Sequence, residues 1–182
     1  MIEPQAGPFL FDTSAQSYLT ASRILAEGEW LAGYSAIFPV HVSAVTVVER
    51  MRGYLVAETR AEPLRRRLLR QFTEAYVISL TVTKVLRFGL EEALIAAQLM
   101  ALLPDAPSPA RRTHRFAESR QDRLARWRFD VMIAATALAH DLPLIHNNPQ
   151  DFEPLRAVIE RVPEHFPGAG PLNLISVKRL AA

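Results

Sequence analysis

Phe129-Asp130-Val131-Met132-Ile133-Ala134-Ala135-Thr136-Ala137-Leu138-Ala139-His140, followed by Asp141-Leu142-Pro143-Leu144-Ile145-His146-Asn147-Asn148-Pro149-Gln150-Asp151-Phe152, is the stretch that decides the fold. A carboxylate opens an Ala-rich run whose composition favours helix. The run is apolar on every side, so its helix is expected to be buried rather than amphipathic. Asp141-Leu142-Pro143 breaks it, and residues 143–146 are short and apolar enough for a buried strand. Asn148-Pro149-Gln150-Asp151 reads as a new helix start, with a cap, Pro at the first position and an acid in the first turn. The pattern is helix, strand, helix, with an acid at the front of each helix. In an open α/β sheet such helix starts gather beyond the carboxyl ends of the strands, where ligands bind.

Working outward, residues 8–11 read as a first, central strand running into Asp12. Thr13 or Ser14 is expected to cap a helix that continues to Gly28, with a further turn at residues 30–32 before Gly33. Residues 36–42 are a second strand, which Pro39 argues against placing in a fully paired position. Ser43 caps a helix over 44–58, and Pro63 starts another to about residue 76. The β-branched stretch 77–85 reads as a strand. A helix over 87–103 ends at Pro104, and Asp105-Ala106-Pro107-Ser108-Pro109 is a turn or linker. The Arg-rich segment to Arg128 holds too few apolar residues for a core, so it reads as an exposed helix or a mobile stretch. A last strand is expected over 173–177. Alternating strands and helices predict an α/β fold, an α/β/α sandwich with a mostly parallel central sheet.

Bulk composition narrows the function. The 182 residues are expected to form a single domain, with a basic Arg-rich insertion or linker at about 105–128. An apolar fraction of 49% and a charged fraction of 22% are ordinary for a globular chain. There is no cysteine, which excludes disulfides, thiolate catalysis and Cys-ligated zinc. The opening Met1-Ile2-Glu3-Pro4-Gln5 lacks the features of a secretory signal, and no apolar run reaches spanning length. A cytoplasmic protein with no membrane partner is expected. Net charge is only +2, but Arg65, Arg66, Arg67 and Arg70 form one basic cluster. Arg111, Arg112, Arg115, Arg120, Arg123, Arg126 and Arg128 form another. Arginine forks match phosphate oxygens, so these clusters suit a nucleic-acid backbone; a solvated helix face is the alternative.

Four acids occupy comparable places: Asp12 after the first strand, Glu49 in the helix after the second, Asp130 at the buried helix and Asp151 in the next. Each has a structural explanation, because helix N-termini favour acids and Asp commonly ends strands. Glu49 fits that explanation least, since it lies on an otherwise apolar helical face with Thr46, Arg50 and Gly53 near it. Gathered at one sheet edge, the four would repel one another strongly unless a divalent cation joined them. Oxygen ligands with no cysteine and no spaced histidines suit Mg²⁺ or Mn²⁺. Such an ion activates water and stabilises charge on phosphate, so acids and arginines point to one substrate, a phosphodiester. His41, His114, His140, His146 and His165 show no zinc spacing. His146 is the one close enough to the acids in sequence to contact a phosphate. Trp30, Trp127 and the phenylalanines read as packing groups, with Trp127 a candidate for base stacking beside the arginines.

These pieces resemble the PIN-domain ribonucleases, and within them the VapC-type toxins of toxin–antitoxin pairs. The matching motifs are Phe11-Asp12-Thr13-Ser14, Val45-Thr46-Val47-Val48-Glu49 with Gly53, Asp130-Val131-Met132-Ile133-Ala134-Ala135-Thr136-Ala137, and Asn148-Pro149-Gln150-Asp151-Phe152. The resemblance implies one or two Mg²⁺ or Mn²⁺ ions at Asp12, Glu49, Asp130 and Asp151, the catalytic and metal residues. It also implies hydrolysis of RNA by metal-activated water, inhibition by a cognate antitoxin protein, and a homodimer. Thr13, Ser14 and Asn148 are expected to orient the acids. Arg65, Arg66, Arg111, Arg112 and Arg115 are expected to hold the RNA backbone. Ser14 stands where the family usually has Asn, His146-Asn147 where it has Thr-Arg, and the segment between Leu55 and Arg128 is longer than usual. Two other readings compete: a non-catalytic or degenerate RNA-binding PIN domain, and a scaffold whose arginines recruit an acidic protein.

Overall fold

The computed structural model describes residues 2–21, 26–110, 112–113 and 116–180. In chain order the elements are β1 (Leu10–Phe11), α1 (Thr13–Ala21), α2 (Ala26–Ser35), β2 (Val40–Ser43), α3 (Ala44–Thr59), α4 (Pro63–Ser79), β3 (Thr83–Leu86), α5 (Leu90–Leu102), β4 (Arg112–Thr113), β5 (Phe116–Ala117), α6 (Arg120–Ala139), β6 (Leu144–His146), α7 (Pro149–Arg161) and β7 (Leu174–Ser176). Five strands form one sheet in the order β3-β2-β1-β6-β7, and every pairing is parallel. β4 and β5 pair separately as a small antiparallel ribbon.

Strand alternation builds two layers of core. Phe9, Phe11 and Ile145 face α1 and α2, where Trp30 stacks on Tyr34 with ring centroids 5.3 Å apart. Leu10 and Leu144 face the opposite side, against α5, α6 and α7. This is the expected α/β/α sandwich with β1 at its centre. Hydrogen bonds from Leu10 N to Pro143 O and from Asp12 N to Ile145 O, both 3.0 Å, carry the β1–β6 ladder up to Asp12.

Several local expectations need correction. Residues 77–79 continue α4, and pairing begins only at Thr83, opposite Val40. Buried Tyr76, 6.0 Å ring to ring from Tyr54, pins the end of α4 to α3 and overrides the β-branched composition. Gly28 and Gly33 lie inside α2 and do not stop it; Trp30 and Tyr34 hold the helix on β1. The join expected between α1 and Gly28 falls partly on residues 22–25, outside the described residues. Gly7 has a steric role, since a Cβ there would lie 2.8 Å from Tyr34 Cε2. Pro39 sits just before β2, which is paired on both sides.

The most consequential correction concerns α6. The helix starts at Arg120, capped by Ser119, whose Oγ accepts from Asp122 N at 3.0 Å. Asp130 therefore lies in the middle of a 20-residue helix, not at its start. The second half is buried from Ile133 to Leu138, as its composition requires. Thr136 meets Ser43 at the end of β2, with their hydroxyls 2.9 Å apart. Six residues earlier, about 9 Å along the axis, Asp130 stands beyond the carboxyl edge of the sheet.

Candidate active site

Each acid reaches that edge by a different local device. Asp12 follows β1 and caps α1: its Oδ1 accepts from Ala15 N at 2.5 Å and its Oδ2 from Ser14 Oγ at 2.7 Å. The capping expected of Thr13 or Ser14 is thus done by Asp12, with Ser14 supporting it. Thr13 instead donates its hydroxyl to Glu49 Oε2, tying α1 to α3. Arg50 reinforces that joint, giving Nη1 to Gln16 Oε1 at 2.9 Å while lying 4.8 Å over the Tyr76 ring. Asp151, in the first turn of α7, accepts from Asn148 Nδ2 and from Arg126 Nη1, the latter at 2.8 Å. Asn148 thus serves the acid and not the helix backbone.

A cleft of about 360 Å³ opens between these elements, lined by Asp12, Thr13, Ser14, Ser17, Glu49, Arg126, Asp130, Asn147 and Asn148. Asp12 is 3% exposed and Asp130 7%, while Asp151 is fully buried and does not line the cleft. Burial, with a smaller push from Glu49, raises Asp12 from 3.8 to about 7 against the pull of Ser14 and Ala15. Burial also raises Asp130 well above the usual carboxylate range, followed by Asp151, Glu49 and Asp12, with Arg126 pulling the other way. Asp130 therefore sits within electrostatic reach of the other three acids, and Asp12 of Glu49.

The donor set fits a hard divalent cation. Asp130 Oδ2 is buried with no hydrogen-bond partner, in a place where burial and three neighbouring acids outweigh the pull of Arg126. Among the described residues, no three His, Asp or Glu side chains stand close enough to form a ready-made metal cage. Mg²⁺ does not require one: it takes one or two carboxylates, keeps several waters and uses substrate phosphate oxygens.

The residues carrying this geometry lie within a stretch, 9–156, that matches the PIN domain family. This chain belongs to that family. Solved structures with a similar fold include the DNA-bound VapBC from Salmonella typhimurium, with a TM-score of 0.56 and 17% identity over 97% of this chain and 99% of that one. VapBC2 from Rickettsia felis, bound to a promoter DNA fragment, gives 0.53 and 13% identity over 92% and 97%. FitAB bound to the IR36 DNA fragment gives 0.54 and 18% identity over 93% and 95%. No curated protein matches the chain in sequence.

Within this PIN domain, Arg126 is the residue that sequence reasoning missed as part of the site. It was grouped with the surface arginines, yet its side chain is 12% exposed and lines the cleft. Its Nε and Nη2 meet the two oxygens of Glu118 at 3.1 and 3.3 Å, and Nη2 also meets Ser108 Oγ at 3.2 Å. Burial works against its charge, but Glu118 and Asp151 outweigh burial and keep it protonated. The available signal was spacing: Arg126 precedes Asp130 by four residues, one helical turn on the same face.

Other expected residues stand apart from the cleft. Arg65 and Arg66 are exposed at the start of α4 and do not line it. That start follows the end of α3, ten residues or about 15 Å beyond Glu49. Arg111 and Arg115 lie outside the described residues, and Arg112 is described only as part of β4. His146 is buried, 5.2 Å ring to ring from Phe152, and does not line the cleft. Trp127 is also buried, its indole N–H donating to Leu103 O at 3.2 Å, so it packs and does not stack on bases.

Proposed function

We infer that this PIN domain is a Mg²⁺- or Mn²⁺-dependent endoribonuclease, the toxin of a VapBC-type pair. The observation that carries the reading is Asp130 Oδ2, buried and partnerless beside Asp12 at the wall of an acidic cleft in a PIN fold. Asp12 and Asp130 would hold the ion directly, with Glu49 on α3 also lining the cleft. Ser14 and Ala15 orient Asp12, Thr13 orients Glu49, and Asn148 orients Asp151. The ion, when bound, activates water and stabilises charge on the phosphate. In hydrolysis the water oxygen attacks phosphorus, the bond to the leaving ribose oxygen breaks, and that oxygen takes up a proton. The acids fix the position of this reaction; the chain needs no side-chain nucleophile.

Arg65 and Arg66 supply phosphate contacts along the RNA outside the cleft, and Arg111, Arg112 and Arg115 add further phosphate contacts. Leu64, Leu68 and Phe72, spaced four residues apart on α4, are exposed apolar side chains, the kind of surface that a protein partner covers. A cognate antitoxin and a second copy of this chain are the partners that the toxin reading requires. No helix of the described residues is long and apolar enough to cross a membrane.

The test is incubation of the purified chain with RNA in Mg²⁺ or Mn²⁺ beside an EDTA control. The reading predicts internal cleavage that EDTA stops. One observation favours a rival: the acids form no closed cage. A non-catalytic RNA-binding PIN domain would bind RNA equally with and without metal and never cut it.

A further inference from the structure

Arg126 brings a buried positive charge to the wall of the acidic cleft. Asp151 is fully buried, absent from the cleft lining, and paired with Arg126 at 2.8 Å. Its Oδ1 is also buried and has no partner, and among the described residues Arg126 is the cation paired with this carboxylate. The guanidinium cannot easily swing away. Glu118 grips it through Nε and Nη2, and Ser108 holds Nη2 from the Pro-rich turn before β4. That grip comes from the stretch between α5 and α6. Of the five guanidinium N–H groups, these bonds use four and leave one on Nη1 in a group that lines the cleft.

We propose that Arg126 is a resident cation of the cleft: clamped by Glu118 and Ser108, it neutralises Asp151 in place of a second metal ion and offers its remaining N–H to a substrate phosphate oxygen. The inference rests on the metal-dependent nuclease reading above. It assigns Asp12 and Asp130 to a single divalent ion and removes Asp151 from the ligand set. Guanidinium suits this post, because it stays charged when buried and bonds carboxylate and phosphate oxygens at once.

Calorimetric titration of Mn²⁺ into the metal-free full chain tests this, with circular dichroism melts confirming folding. The wild type should bind one ion, and Asp130→Asn should lose it. Asp151→Asn, which keeps its shape and its bond to Arg126, should still bind one ion, about tenfold more weakly because the guanidinium charge is then uncovered. Arg126→Gln uncovers a negative charge, so it should bind Mn²⁺ about tenfold tighter or take up a second ion. Its RNA cleavage should fall at the same time, a pair of opposite changes that a merely structural arginine would not give. Arg126→Lys should restore wild-type Mn²⁺ binding. Two ions in the wild type, loss of binding in Asp151→Asn, or unchanged or weaker binding in folded Arg126→Gln would each overturn the proposal. If Arg126→Gln does not fold, Asp151→Asn decides alone. Binding lost equally in Asp130→Asn and Asp151→Asn would sink only this inference, whereas a wild type that binds no Mn²⁺ would sink the nuclease reading with it.

Discussion

At Asp12 the chain places a nearly buried carboxyl at the cleft wall, and a second acid stands near. Its ordinary value is 3.8 and the folded chain raises it to about 7, chiefly by burial. Between those values the folded protein holds a proton that the unfolded chain has released, so stability falls as pH rises through this window. The shift corresponds to about 4 kcal/mol. Melts in EDTA should therefore show a wild type that loses stability from pH 4 to pH 7, and an Asp12→Asn variant that loses less. His146 acts in the opposite sense: burial, then Arg156, pushes it down to about 4, so it costs stability as pH falls below 6.5. The comparison with Asp12→Asn isolates the acid from that background; equal slopes would contradict the burial account. Adding Mg²⁺ at pH 8 should recover the lost stability in the wild type only. Asp12, Asp130 and Asp151 were singled out in the sequence as acids at strand ends and helix starts and Glu49 as an acid on an apolar face, and of the four the cleft is lined by Asp12, Glu49 and Asp130. Arg126 was not singled out, because a helix read as starting at Asp130 leaves Arg126 no face to share with it.

At the scale of elements, α6 carries most of the design. It presents Arg126 and Asp130 to the cleft, and Trp127 and the Ile133–Leu138 run to the core. Trp127→Ala removes a fully packed ring and its bond to Leu103 O, and should cost about 3–5 kcal/mol in urea unfolding. A loss under 1 kcal/mol would mean that the front of α6 is not held to α5. Asp130→Asn should act in the other direction on the metal-free protein, raising its melting temperature at pH 8 by relieving repulsion from Asp151, Glu49 and Asp12. A lowered melting temperature would favour a structural role for the acid. The buried half of α6 was readable from its all-apolar run. Its exposed half was not, since arginines without a clear apolar stripe suggest a mobile stretch as readily as a helix. Residues 77–79 misled for the converse reason: a β-branched sequence was held in α4 by Tyr76, a contact made between helices.

Across the whole molecule, the parallel sheet puts β1, β2 and β6 side by side, so residues from four parts of the chain meet at one edge. The parallel sheet with β1 at its centre was inferable from alternating strands and helices, whereas the full strand order comes from the structure. The helical hairpin of α3 and α4 was only half legible, because its far end carries exposed side chains that no core constrains. If RNA runs from the cleft over that hairpin, replacing Arg65 and Arg66 with Ala should lower the slope of log K against log salt by about 0.7 for each lost contact. Fluorescence anisotropy with a single-stranded RNA reads this directly; an unchanged slope would take α4 out of the RNA path.

The central claim is that the acidic cleft cuts RNA with a divalent ion held at Asp130 and Asp12. The most direct measurement compares wild type and Asp130→Asn in one cleavage experiment with Mn²⁺, after melts show both folded. The account predicts cleavage by the wild type and none detectable by the variant. Cleavage at near wild-type rate by folded Asp130→Asn would contradict it.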